Sequence, residues 1–225
     1  MFFLPYALAK AFAARMVPDR FAESTISNIY YDTPDFRLIR RSLDRPAYKE
    51  KLRLRTYRTP GADTEAFVEI KKKYDHIVYK RRVAMTYSEA QAYLDGGAAP
   101  EQSQISREID WFLHFYKGIQ PAMCICYDRL ALFDKYQPEL RVTFDSGIRW
   151  RMDDLDLSSG SAGEQLLPHD TCLMEIKIPG TTPLWLARVL SENQIFPTHF
   201  SKYGAAYQTM LREDRSPQFG SETIH

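Results

Sequence analysis

The sequence predicts an α+β protein in which an antiparallel β-sheet curls into a closed or nearly closed barrel. About seven strand-like segments joined by short connections alternate with five or six helical segments, which is typical of α+β proteins. Five of these strands carry charged side chains on one face and apolar side chains on the other. A barrel accommodates this pattern, because its charged face can line a wet lumen while its apolar face packs under helices.

The size and composition of the chain predict one globular domain over residues 1–212, followed by a loose tail over 213–225. Of the 225 residues, 44% are hydrophobic, which is enough apolar material for a large core. The net charge is only +1, from 30 basic and 29 acidic residues. A generally basic surface for nucleic acid is therefore not indicated, and the clustering of the basic residues matters more than their sum.

The first half of the chain combines two helices with four strands. Pro5 suits the first turn of a helix, and Asp32 or Thr33 can cap a short second one. A tight turn at Asp75–His76 predicts that the two strands around it form a hairpin. The predicted elements are, in order, a helix at Pro5–Met16, a strand at Ser24–Tyr31, a helix at Asp35–Ser42, and strands at Ala47–Tyr57, Glu65–Lys73 and Ile77–Met85.

The second half contains most of the helices. Ile105, Ile109 and Phe112 recur at helical spacing, and glycines follow several of the helical patterns, as expected at helix ends. The predicted elements are helices at Ser88–Leu94 and Ser103–Tyr116, strands at Ala122–Phe133 and Glu139–Arg149, a polar loop at Asp153–Pro168, a strand at Thr171–Ile178, and helices at Leu184–Asn193 and Lys202–Arg212.

The cysteines and the hydropathy pattern bear on the cellular compartment. Cys124, Cys126 and Cys172 form no zinc-type spacing and no disulfide framework, which suits a reducing cytoplasm. We interpret them as small buried apolar residues. No apolar run approaches the roughly 20 residues of a membrane helix, so the sequence predicts no direct membrane insertion.

The stretch YKEKLRLRTY at 48–57 is the most informative part of the chain. With a two-residue period, Lys49, Lys51, Arg53 and Arg55 point to one side of a strand, opposite the leucines. Four cations in a row repel one another, so a native sheet keeps them only on a face that meets water or an anion. The pattern predicts a phosphate-binding face.

Other strands extend this polar face, which two carboxylates join. Glu69 and Glu175, each followed two positions later by lysine, are candidates to hold Mg²⁺ or Mn²⁺ beside phosphate, although a salt bridge is an equal interpretation of Glu175. The basic runs at 71–73 and 80–82 also suit a nucleic-acid patch, which the net charge disfavours. The polar-face residues are Lys49, Lys51, Arg53, Arg55, Glu69, Lys71, Lys73, Lys80, Arg82, Arg129, Arg141, Glu175 and Lys177.

Eight short motifs follow one another along most of the chain. They are NIYYDTPDF (28–36), YKEKLRLRTY (48–57), FVEIKKK (67–73), VYKRR (78–82), YDR (127–129), ELRVTFD (139–145), LMEIKIPG (173–180) and FSKYG (200–204). In this order they resemble the VTC domain, the polyphosphate polymerase domain of the triphosphate tunnel (CYTH-like) superfamily. The resemblance implies an eight-stranded antiparallel tunnel that binds triphosphate with Mn²⁺ or Mg²⁺. It implies ATP and polyphosphate as partners, with transfer of the ATP γ-phosphate to a growing polyphosphate chain, and the net charge predicts no nucleic acid as a partner.

The resemblance and the polar-face pattern together assign roles to individual residues. The metal carboxylates are Glu175, which matches the family motif, and Glu69, which the residue pattern adds. The expected catalytic residues are Arg53, Arg55, Lys71, Lys80, Arg129, Arg141 and Lys202. The expected substrate-binding residues are Lys51, Arg82, Tyr127, Lys177 and Ser201.

One departure from the family pattern concerns the first tunnel strand, whose basic segment is expected before the first helix. Met1 stands where a lysine of that strand would be, so we expect seven strands, which can leave an open seam. Two further functions on the same scaffold remain open. One is hydrolysis, by a tripolyphosphatase or nucleoside triphosphatase, and the other is polyphosphate binding without turnover.

Overall fold

The computed structural model describes residues 12–75 and 77–213, in which a large antiparallel sheet is combined with helices. Residues 12–15 are helical and lead directly into the first strand. The strands of this part are β1 (Met16–Asp32), β2 (Tyr48–Tyr57), β3 (Glu65–Tyr74), β4 (Ile77–Thr86), β5 (Gln120–Asp134), β6 (Arg141–Arg151), β7 (Glu164–Gln165) and β8 (Leu173–Lys177). The helices are α1 (Arg37–Leu43), α2 (Tyr87–Leu94), α3 (Gln104–Phe115), α4 (Leu184–Glu192) and α5 (Lys202–Glu213), with a 3₁₀ turn at Leu157–Ser159.

The strands follow the order β4–β3–β2–β1–β5–β6, and β6 then pairs with both β7 and β8. Strand β8 pairs with the first half of β6, and β7 pairs with its end. Among the described residues, β4 has no partner on its outer side, so the sheet does not close by hydrogen bonds. Lys80, Arg81 and Arg82 lie on this edge, where their charges oppose pairing with another strand.

Helix α1 begins a few residues after β1 because Asp32, at the end of the strand, caps it. The buried Asp32 carboxylate accepts hydrogen bonds from the backbone N–H groups of Thr33, Leu38 and Ile39 at 2.8–3.0 Å. The hydroxyl of Tyr203 in α5 donates a further bond of 2.9 Å to the same carboxylate. One side chain therefore anchors β1, α1 and α5 to each other, and the predicted capping role of Asp32 is confirmed.

One face of the sheet carries the basic residues of β2 and is called the cation face here; the opposite face is apolar and is covered by helices. On the opposite face, Leu52, Leu54 and Ile70 pack with Ile109 and Phe112 of α3 in one large core cluster. A second cluster on this face lies beneath α4 and includes side chains of β6 and β8. The predicted in-and-out split of the strands is therefore present.

Helix α5 lies on the cation face and covers part of it. The side chains of Ile26 and Tyr30 in β1 lie on the same face of the sheet as the β2 cations. They form a core cluster with Tyr203 and Tyr207 of α5. The central strands carry apolar side chains on both faces, which is the pattern of strands that are buried on both sides. The polar part of the cation face that α5 leaves uncovered is called the groove here, and the apolar residues of β1 and β5 are buried beneath α5.

Most predicted elements are confirmed, and the differences lie at the sheet margins. Strand β1 starts at Met16, eight residues before the predicted Ser24, because Met16–Pro18 pairs with β5 despite the proline, ahead of a register shift between Pro18 and Glu23. The polar loop contains β7 and the 3₁₀ turn, which were not predicted. Residues 5–11 of the predicted first helix and residues 214–225 of the predicted tail over 213–225 lie outside the described residues, and Glu213 is the last residue of α5.

Candidate functional site

Three lysines form a transverse row on the cation face. In the strand register, Lys51 of β2 lies opposite Lys71 of β3, which lies opposite Lys80 of β4. Side chains opposite each other in an antiparallel sheet have Cβ atoms about 5 Å apart, so these like charges destabilise the sheet unless an anion meets them. Burial, together with the charges of Lys71 and Lys49, lowers the pKa of Lys51 to about 8, although Tyr30 acts in the opposite direction. The Lys51 ammonium also donates a 2.9 Å hydrogen bond to Ser201 Oγ.

The next row is organised around the carboxylate of Glu69, which is 1% exposed. Arg53 approaches Glu69 Oε2 with Nε at 2.7 Å and Nη2 at 2.6 Å, and Arg55 Nε lies 3.9 Å away. Lys80 Nζ lies 2.8 Å from Oε1. Burial alone would raise the pKa of Glu69, but Arg53, Arg55 and Lys80 outweigh it and hold the pKa at about 2. Glu69 is therefore ionised throughout the neutral range.

Tyr30 completes this row, and its hydroxyl accepts a 3.2 Å hydrogen bond from Arg53 Nη1. Burial would raise the pKa of Tyr30, yet the positive charges of Arg53, Lys51 and Arg55 lower it to about 8. The ring stacks on Tyr203 with 4.6 Å between centroids. The lowered pKa of Tyr30 therefore reflects the positive electrostatic potential of the groove.

Arg55 links this row to the other half of the groove. It donates to Asn28 Oδ1 at 2.8 Å and to the Tyr127 hydroxyl at 3.0 Å. The Tyr127 ring in turn lies 5.3 Å from the Arg129 guanidinium and 4.5 Å from the Lys202 ammonium. Tyr127 therefore separates two groups of cations and contacts both.

The second group of cations surrounds Asp145, which is fully buried. Arg129 binds it in bidentate fashion, with Nε and Nη2 at 2.6 and 2.8 Å, and Lys202 Nζ lies 2.6 Å away. Burial raises the pKa of Asp145, but Arg129 and Lys202 outweigh it and hold the pKa below the usual value. Glu175 is 44% exposed and lies 3.6 Å from Arg129 and 3.4 Å from Lys202.

The remaining predicted cations have no carboxylate partner in the described part of the chain. Arg141 and Lys177 lie opposite each other on β6 and β8, and the Arg82 guanidinium lies over the Phe67 ring at 4.4 Å. This excess of uncompensated positive charge is what a polyanion site requires. The cation-face residues with no carboxylate oxygen of the described residues within 4.0 Å are Lys49, Lys51, Lys71, Lys73, Arg82, Arg141 and Lys177.

The two predicted metal carboxylates differ in how well they suit a divalent cation. Glu69 does not fit, because cations lie against both of its oxygens and a metal ion would have to displace Lys80 or Arg53. Glu175 fits better, because its side chain is 44% exposed and its cationic partners Lys202 and Arg129 are farther away, at 3.4 and 3.6 Å. Among residues 12–75 and 77–213, no group of three or more His, Cys, Asp or Glu could by itself hold a metal ion. Phosphate and water oxygens would have to complete any coordination at Glu175.

Sequence reasoning brought most of the site together but missed three residues. Tyr30 and Asn28 lie on β1 and were not assigned to the polar face, although the two-residue period of ISNIYY contains that information. Asp145 was given no function, because its partners Arg129 and Lys202 are 16 and 57 residues away in the chain. Their proximity depends on the fold and has no local signal.

Comparisons with known proteins bear on the family and the fold. A family model for the VTC domain matches residues 5–211. A crystal structure of a proposed adenylate cyclase from Bacillus halodurans has a similar fold, with a TM-score of 0.51, 12% identity, and 89% of this chain and 90% of that chain covered. No curated protein matches the chain.

Two further solved structures are more distantly similar. A proposed adenylate cyclase from Vibrio parahaemolyticus has a TM-score of 0.47 and 14% identity over 91% of this chain and 92% of that chain. A protein from Pyrococcus horikoshii has a TM-score of 0.41 and 11% identity over 94% and 96% of the two chains.

Within the described ranges, no helix combines the length and the apolar character that crossing a membrane requires.

Proposed function

Because the chain belongs to the VTC domain family, we propose that it is a polyphosphate polymerase that transfers the γ-phosphate of ATP to a growing polyphosphate chain. The observation that carries this proposal is the row of Lys51, Lys71 and Lys80 on three neighbouring strands. Glu69 offsets the charge of Lys80, whereas Lys51 and Lys71 have no carboxylate partner among the described residues. A multivalent anion would stabilise the row, and successive phosphoryl groups of one chain suit its spacing.

The chemistry that this groove supplies is electrostatic. The attacking terminal phosphate and the γ-phosphate are both anionic, and their mutual repulsion raises the barrier to transfer. Fixed cations stabilise the charge of the transferring phosphoryl group, and no covalent nucleophile on the protein is required. The lysines without carboxylate partners offset the repulsion, and the arginines held by Glu69 and Asp145 provide donors at fixed positions.

The contacts of Arg53 leave some of its N–H donors for substrate. A guanidinium has five N–H donors. Arg53 directs Nε and Nη2 to Glu69 and Nη1 to Tyr30, so the remaining N–H groups are available to phosphate oxygens. A divalent cation held at Glu175 would neutralise nucleotide phosphate charge when it is bound.

Hydrolysis is the second candidate, and the open edge of the sheet favours it. On the edge strand β4 the Lys80 side chain is 42% exposed, so water reaches this end of the lysine row. Water would then replace the terminal phosphate of polyphosphate as the acceptor. The same cations would serve both reactions.

Product analysis separates these functions. The protein is incubated with ATP and Mn²⁺, and the products are resolved on a gel for polyphosphate and assayed for free phosphate, pyrophosphate and ADP. Chain growth with stoichiometric ADP is expected. Free phosphate or pyrophosphate without chain growth would refute the polymerase and support hydrolysis. The Lys71→Ala variant tests the lysine row in the same assay, because it removes one member of the row without removing an ion pair.

A further inference from the structure

Glu69 differs from every other acid of the groove in the number of cations that converge on it. Its side chain is 1% exposed and lies within 4.0 Å of Arg53, Arg55 and Lys80, which come from two neighbouring strands. A carboxylate so enclosed is a poor metal ligand. Its surroundings suit a group that holds other side chains in place.

We propose that Glu69 is a positioning residue that fixes the Arg53 guanidinium and the Lys80 ammonium in the orientation required for phosphoryl transfer. The inference rests on the proposed polyphosphate polymerase function and adds to it the group that orders its cations. It also replaces the sequence-based expectation that Glu69 holds a metal ion.

The contacts indicate which cations depend on Glu69. Arg55 has two other acceptors, Asn28 and the Tyr127 hydroxyl, at 2.8 and 3.0 Å. Among the described residues, Arg53 has the Tyr30 hydroxyl, at 3.2 Å, as its one acceptor besides Glu69. Lys80 has no other ion-pair partner in the described part of the chain. Loss of Glu69 should therefore release Arg53 and Lys80 and leave Arg55 in place.

Two substitutions separate the charge of Glu69 from its reach. Glu69→Asp keeps the negative charge but shortens the side chain by one methylene, so the carboxylate withdraws from both cations. Glu69→Gln keeps the length and removes the charge, which leaves three cations uncompensated and makes the groove more positive. We expect both variants to lower kcat about tenfold or more, because positioning is lost.

Anion affinity should respond differently in the two variants. Calorimetry with inorganic tripolyphosphate is expected to give an unchanged Kd for Glu69→Asp and a severalfold tighter Kd for Glu69→Gln. The Mn²⁺ concentration for half-maximal rate should be the same in both variants and in the wild type. A raised Mn²⁺ requirement would overturn the proposal in favour of metal binding. A wild-type kcat in Glu69→Asp would overturn it as well.

Glu108 provides a matched control from the opposite face of the same hairpin. Its carboxylate lies 3.7 Å from Lys72 of β3 and 3.5 Å from Arg81 of β4, so Glu108→Gln also removes an acid that bridges these strands. Neither kcat nor tripolyphosphate affinity should change in this variant. An equal loss of kcat would attribute the effect to general weakening of the hairpin and overturn the proposal.

A measurement without turnover keeps the inference separate from the proposed function. The Nε–H group of Arg53 donates to Glu69 at 2.7 Å, so its NMR signal should exchange slowly with water. Exchange should become fast in Glu69→Asp and Glu69→Gln and stay slow in Glu108→Gln. Slow exchange in all variants would overturn the positioning role. If the wild type fails to make polyphosphate while this exchange pattern holds, the polymerase function alone is refuted.

Discussion

The charge on Glu69 should make a measurable and pH-dependent contribution to stability. Its pKa of about 2 in the folded protein compares with an ordinary value of 4.5. At about 1.4 kcal/mol for each pH unit between the two values, the ionised carboxylate contributes roughly 3 kcal/mol to the free energy of unfolding at pH 7. Because the side chain is almost fully buried, solvent does not screen this contribution. Glu69→Gln should therefore lower the free energy of unfolding by about that amount. A domain with a typical stability of about 5–15 kcal/mol stays folded after such a loss.

The sign of the pH dependence follows from the lowered pKa. The contribution is fully present above the unfolded-state pKa of 4.5 and is lost as the pH falls toward 2. At pH 3.5 the difference in unfolding free energy between wild type and Glu69→Gln should have narrowed to about 2 kcal/mol. At this pH Glu69 is mostly protonated in the unfolded chain, so its ionisation on folding requires the release of a proton.

Urea unfolding of both proteins at pH 7 and pH 3.5, followed by circular dichroism, measures the two differences. Glu108→Gln should unfold close to the wild type at both pH values, because its partly exposed ion pairs are weak. Equal midpoints for wild type and Glu69→Gln at pH 7 would refute the reasoning. A difference that stays constant between the two pH values would do the same.

Four further predictions address other parts of the groove. Arg141→Ala should lower the rate of polyphosphate formation about a hundredfold without moving the urea midpoint, because Arg141 has no carboxylate partner; a large loss of stability would assign it a structural role. Asp32→Ala should lower the free energy of unfolding by about 2–3 kcal/mol in thermal or urea denaturation, because several buried donors lose their acceptor; an unchanged midpoint would mean that α1 does not need this cap. Glu175→Gln should raise the Mn²⁺ concentration for half-maximal rate about tenfold or more, and identical metal titrations would exclude Glu175 as a ligand. Because the pKa of Lys51 is about 8, tripolyphosphate affinity measured by calorimetry should weaken from pH 7 to pH 9, and Lys51→Arg should abolish that part of the pH dependence; an unaltered pH profile in the variant would contradict this.

The sequence was most informative where side-chain direction depends on local period. Alternation along 48–57 placed Lys51 and Arg53 on one face and the leucines on the other, and the strand register bears out that split. The short turn near Asp75 fixed the hairpin and hence the register of Lys71 with Lys80. The triphosphate tunnel fold followed from motifs that span most of the chain, and the family model confirms that resemblance.

Features that depend on distant parts of the chain had no such local signal. The pairing of Asp145 with Lys202 joins residues 57 positions apart, and the position of α5 over the cation face depends on apolar residues of β1 and β5. The early start of β1 was missed because Pro18 and charged neighbours look like a loop, whereas Met16–Pro18 pairs with β5 despite the proline. Tertiary context decided each of these cases.

The contacts of Ser201 and Lys202 have a consequence for the order of events during synthesis. Lys51 donates a hydrogen bond to Ser201 but is synthesised about 150 residues before it. Asp145 is synthesised 57 residues before its partner Lys202. Until the last helix emerges, the nascent chain holds an early half-sheet rich in lysine and a later acid without its full set of cations. The lysine row of β2–β4 is therefore present early, whereas the cation pair around Asp145 is complete only after α5 has been synthesised.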